Sequence, residues 1–68
     1  MTPREDAINR LLAVSEIEGW NDRTNGISER LDKILIAEFP FNGRTRRSLR
    51  FIVISRLRER REKMLNAS

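Results

Sequence analysis

Apolar residues recur along the chain at three- and four-residue spacing in three stretches, and each stretch is bounded by residues that start or stop helices. Ala7, Ile8, Leu11, Leu12 and Val14, continued by Ile17, line one side of the first, while Glu5, Asp6, Arg10, Glu16 and Glu18 fill the other. That spacing marks an amphipathic helix. Thr2-Pro3-Arg4-Glu5 reads as a capping box, with Thr2 as N-cap, Pro3 at the first helical position and Glu5 returning to the N-cap amide, so the helix is expected over 3–18. Gly19 suits the left-handed position just past its end, and Trp20 is placed to fold back on Val14. Asn21 to Gly26 is polar, lacks periodicity and ends in Asn-Gly, a loop signature. Ile27, Leu31, Ile34, Leu35 and Phe39 form a second stripe that predicts a helix over 27–38, with Ser28 as N-cap and Glu29 and Asp32 near its positive end. Phe39-Pro40-Phe41-Asn42-Gly43 breaks it, because the residue before proline is pushed out of the helical region. Phe39 and Phe41 are expected to plug the space between helices.

The third stretch carries an ambiguity. Leu49 to Ser55 is rich in β-branched residues and has the composition of a strand. No second strand-like run is present to pair with it, and its flanks, Thr45 to Arg50 and Arg56 to Asn66, are strong helix formers. A helix over 45–66 is the expectation, which makes the chain an all-α, three-helix protein folded as one domain over 1–68. Its middle is apolar on nearly every side, more than two short helices can cover. A homodimer through the third helix is therefore expected, with Phe51, Ile54, Leu57 and Met64 at the interface.

Sixty-eight residues can bury only about 60% of the surface of the unfolded chain, which strengthens the case for self-association. There is no Cys and no His, which removes disulfides, thiolate nucleophiles, imidazole bases and the usual zinc and haem ligand sets. No nucleophile elbow, Gly-rich phosphate loop or metal motif is present. The chain is expected to be no enzyme, to need no cofactor or metal, and to take no small-molecule substrate. A cysteine-free chain with no long apolar run fits a cytoplasmic protein that does not enter a membrane.

The net charge of +4 hides a division along the chain. Residues 1–42 hold five basic and eight acidic side chains, a balance of −3, whereas residues 43–68 hold nine basic and two acidic ones, a balance of +7. Twelve of the fourteen cations are Arg, whose planar fork pairs with phosphate or carboxylate through two parallel hydrogen bonds. Arg44, Arg46, Arg47 and Arg50 gather at the start of the third helix, where the macrodipole disfavours cations. At about 100° per residue Arg46, Arg50 and Arg47 fall near 0°, 40° and 100° and face broadly one way. An anion held there by these guanidinium groups, free amides and the hydroxyls of Thr45 and Ser48 would make sense of the arrangement. The competing explanation is internal neutralisation by Asp32 or Glu38.

In order, a helix, a short break and an Arg-led helix resembles a helix-turn-helix, whose second helix enters the major groove N-terminus first. Against that, a break counted as Phe39 to Gly43 is longer and more apolar than the usual three- or four-residue turn. Charge segregation and the Arg-led third helix point to a small dimeric DNA-binding regulator of bacterial, phage or plasmid type. Arg46, Arg47 and Arg50 would meet guanine edges or phosphates, Arg44, Thr45 and Ser48 would fix register, and Arg56, Arg58, Arg60, Arg61 and Lys63 would add sequence-independent attraction. The alternative is a protein-binding adaptor or inhibitor that lays its basic, partly apolar third helix on a larger partner. RNA is less favoured, since Trp20 and the three Phe look committed to packing and leave no stacking platform.

Overall fold

The computed structural model describes residues 2–66, and within them the chain is a three-helix protein with no strand: α1 is Pro3–Glu18, α2 is Ile27–Glu38 and α3 is Gly43–Asn66. Met1, Ala67 and Ser68, included in the expected 1–68 domain, lie outside the described residues. No described helix is long and apolar enough to cross a membrane.

Local chemistry sets most helix ends. Thr2 is extended, and its hydroxyl oxygen accepts a 3.1 Å hydrogen bond from the Glu5 amide, satisfying one of the donors a helix start leaves unpaired. Gly19 adopts φ 73°, its amide donates to the Glu16 carbonyl and the Trp20 amide to the Ser15 carbonyl at 2.8 Å. These two bonds are the pair that closes a helix through a left-handed residue. The loop that follows is held by its own side chains: Asn21 Oδ1 accepts from the Arg23 amide and Thr24 Oγ1 from the Asn21 amide.

Two starts differ from expectation. The N-cap of α2 is Gly26 at φ 70°, with no side-chain cap, so Ser28 lies inside the helix and its hydroxyl serves another purpose, described below. At α3, Asn42 Oδ1 accepts from the Thr45 amide at 2.8 Å and its carbonyl from the Arg46 amide, which starts the helix at Gly43 rather than Thr45. Asparagine is among the strongest N-caps, and the cap turns Gly43 from a breaker into a first helical residue. The linker from α2 to α3 is thereby four residues, 39–42, in which Phe39 is extended and the rings of Phe39 and Phe41 stack 5.6 Å apart.

The core is one cluster: Ala7, Leu11 and Leu12 from α1, Ile27, Leu31 and Leu35 from α2, and Leu49, Val53 and Leu57 from α3. Ile8, Trp20, Ile34, Phe39, Phe41 and Ile54 pack around it. The strand-like run of α3 is thus helical, and its apolar residues at four-residue spacing form the side that meets both other helices. Ser15 is fully buried in α1 and donates to the Leu11 carbonyl at 2.8 Å, the local bond that lets a hydroxyl enter an apolar core. Ile17, expected to continue the α1 stripe, is instead 79% exposed.

Candidate nucleic-acid interface

The buried face of α3 is centred on Leu49, Val53 and Leu57, at about 300°, 340° and 20° on the helical wheel counted from Arg46. Arg46 near 0° and Arg50 near 40° therefore flank the core side. Their guanidinium groups are drawn onto α2. Arg46 Nε meets Asp32 Oδ1 at 3.0 Å and its Nη1 donates to the Phe41 carbonyl, while Arg50 Nη1 meets the same carboxylate oxygen at 2.6 Å. Arg50 Nε also donates to Ser28 Oγ at 3.1 Å, the use to which α2 puts that hydroxyl. Asp32 is the internal counter-charge for both. Glu38, the other nearby acid, is taken by Arg10 of α1 through two bonds of 2.9 and 3.2 Å.

Arg61 repeats the pattern three turns further on. It grips Asp22 of the 19–26 loop through bonds of 2.8 and 3.1 Å, with both side chains largely covered. The paired guanidinium holds the Asp22 carboxyl below its ordinary range, as Arg10 does for Glu38. Arg58 is 68% exposed and bonds Glu62 one turn ahead at 3.1 Å, a surface pair of small energetic consequence.

The outward side of α3 is different. Arg44, Arg47 and Ser48 are exposed, and neither Arg44 nor Arg47 makes an ion pair among the described residues. Arg47, Ser48, Phe51 and Ile52 border one shallow surface depression, and Phe51 is 74% exposed within it. Further along, Arg56, Arg60 and Lys63 are exposed and without an acid partner among the described residues. Comparison with protein-family models, curated proteins and solved structures finds no match. The site therefore rests on its own geometry.

Of the eight residues expected to meet nucleic acid, Arg44, Arg47, Ser48 and Arg58 lie on the open face, and Thr45 is half-buried with its amide taken by the Asn42 cap. Arg46, Arg50 and Arg61 are occupied within the chain. Of the four expected to meet a second subunit or partner, Leu57 belongs to the chain's own core and Ile54 packs against it, leaving Phe51 and Met64 on the surface. Sequence reading did not single out Asn42, which sets the first turn of α3, or Asp22. The cap was visible in principle as an Asn before a helix-forming run, whereas the Asp22–Arg61 contact spans 39 residues and has no local signal.

Proposed function

We propose that the protein binds duplex DNA through the outward face of α3, with Arg44, Arg47 and Ser48 at the contact. The observation that carries this reading is the division among the first four arginines of the helix: Arg46 and Arg50 share the single carboxylate of Asp32, and Arg44 and Arg47 are exposed with no ion pair among the described residues. A cation near a helix N-terminus is disfavoured by the macrodipole, and no ion pair among the described residues offsets that for these two. A phosphate or a guanine edge would satisfy both forks. The four-residue connection from α2 to α3 supports a helix-turn-helix-like use of α3, and Arg56, Arg60 and Lys63 supply attraction that does not depend on sequence. In this reading a second copy docks through the distal end of α3, where Met64 is 75% exposed, and each arginine face stays open as in a small regulator.

The test is fluorescence anisotropy of a labelled duplex at low and moderate salt. Binding should weaken steeply with salt, and Arg44→Ala with Arg47→Ala should lower the magnitude of the log–log salt slope by about 2. Absence of binding at low salt, or binding indifferent to that double change, sinks the proposal.

A second reading has its own observation. Trp20, Leu57 and Met64 line a groove between the end of α1 and the distal half of α3, with Arg60 and Lys63 on its border. Such a groove suits an acidic, partly apolar segment of a larger protein. Reversal of both cations, Arg60→Glu with Lys63→Glu, separates the readings: it should abolish capture of such a segment, whereas DNA binding should weaken but keep its dependence on Arg44 and Arg47.

A further inference from the structure

We infer that Phe51 is a specificity residue, reading the 5-methyl group of a thymine next to the contact made by Arg47. This rests on the DNA reading above and adds to it a base identity. Among the described residues the exposed large apolar side chains are Ile17, Ile36, Phe51, Met64 and Leu65. Four of them sit in the last turn or so of their helices, where exposure carries little meaning. Phe51 alone lies mid-helix, four residues after Arg47 and three after Ser48, so all three occupy neighbouring positions on one face. They share the depression that Ile52 completes.

The surroundings decide what covers the ring. Arg44 and Arg47, with no ion pair among the described residues, stand on the same side of the helix, with the exposed Arg58 two turns beyond. A second copy placed face to face over Phe51 would set like charges against each other. A polyanion is complementary to the same rim. Phe51 lies about 12 Å along the axis from the start of α3, a distance comparable to the width of the major groove. Thymine is the one base that presents a methyl group in that groove, and an aromatic side chain is among the groups that meet it by apolar contact. The major groove of an RNA duplex is too deep and narrow for such a contact, so the arrangement selects B-form DNA.

The experiment uses the whole chain and a random duplex library. Wild-type protein should select a motif containing a fixed thymine, and replacing that thymine by deoxyuridine, which removes only the methyl, should weaken binding about fourfold, the effect of one buried methyl group. Phe51→Ala, at an exposed helical position, should keep the circular-dichroism spectrum, bind the motif more weakly and be indifferent to the thymine-to-deoxyuridine exchange. Failure of wild type to bind any duplex removes the DNA reading itself. Binding without a fixed thymine, an exchange effect that survives Phe51→Ala, or equal affinity for the duplex RNA counterpart overturns the inference and leaves DNA binding standing. A change in sedimentation coefficient on Phe51→Ala would assign the ring to self-contact and also overturn it.

Discussion

Arg46 and Arg47 are adjacent in the chain, carry the same chemistry and stand in the same turn of α3, yet one is clasped by Asp32 and the Phe41 carbonyl while the other makes no ion pair among the described residues. The helix rotates about 100° between them, enough to carry a side chain from the edge of the core to the solvent. The same rotation sorts the rest: Arg50 and Arg61 reach α2 and the 19–26 loop, whereas Arg44 faces outward. Basic content alone therefore overstates what α3 can offer a ligand. The inward arginines hold the three-helix packing in register, and the outward ones are the charge available to a partner.

Variants that touch one side only should separate the two roles. Changing Arg44 and Arg47 to Ala is expected to cost about 2–6 kcal/mol of DNA-binding free energy, at least about 30-fold, with the unfolding free energy moving by less than about 0.5 kcal/mol. Anisotropy and urea unfolding of the same samples measure both. Asp32→Ala should act in the opposite sense. It removes two charge-assisted bonds at a partly buried carboxylate, a loss of about 1–3 kcal/mol of stability after solvent screening is allowed for. It also releases Arg46 and Arg50, so DNA affinity at low salt should rise. A variant that is less stable and also weaker in binding would break the division. Asn42→Ala comes next: losing the cap should cost about 1 kcal/mol and fray the turn that carries Arg44, with a smaller loss of binding than removal of the two arginines.

The division explains what the sequence could and could not disclose. Both ends of α1 and the end of α2 were readable because Pro3, Gly19 and the Phe39-Pro40 step mark helix boundaries through strictly local sterics and hydrogen bonds, whereas the cap of α2 was assigned to Ser28 in place of Gly26. The start of α3 was misplaced by two residues because Gly43 was weighed as a breaker without the Asn42 side chain that caps it. For the arginines the information was partly present. Leu57 falls near 20° on the wheel, between Arg46 and Arg50, and a leucine that far into the core marks those bearings as the inner side. Seeking one direction for all three arginines obscured this. The capture of Arg61 by Asp22 depends on how the 19–26 loop returns over α3, a tertiary outcome that no spacing in the chain encodes. The apolar excess that suggested a covering subunit is largely absorbed by the chain itself through Leu57 and Ile54.

Acidification should distinguish the two sides of α3 with the smallest effect and the cleanest sign. Asp22 and Glu38 are held below their ordinary carboxylate range, mainly by the hydrogen bonds from Arg61 and Arg10. Below neutrality the unfolded chain protonates these carboxylates first, near pH 4, and binds more protons than the folded one. Their contribution to stability is therefore complete above that range and is lost as the pH falls through the depressed folded values. The arginine partners are raised from values that are already high, so their side of the linkage matters only in strong alkali. Both pairs lie on the inner side or between helices, and neither involves Arg44 or Arg47. Thermal unfolding followed from about pH 6 to pH 3 should show a falling midpoint that Asp22→Asn flattens, since the amide cannot take up the proton. The surviving slope should then be flattened further by Glu38→Gln. If the midpoint of Asp22→Asn falls with pH as steeply as that of wild type, the Asp22–Arg61 clasp contributes nothing to the fold in solution, and Arg61 rejoins the arginines free to meet a partner.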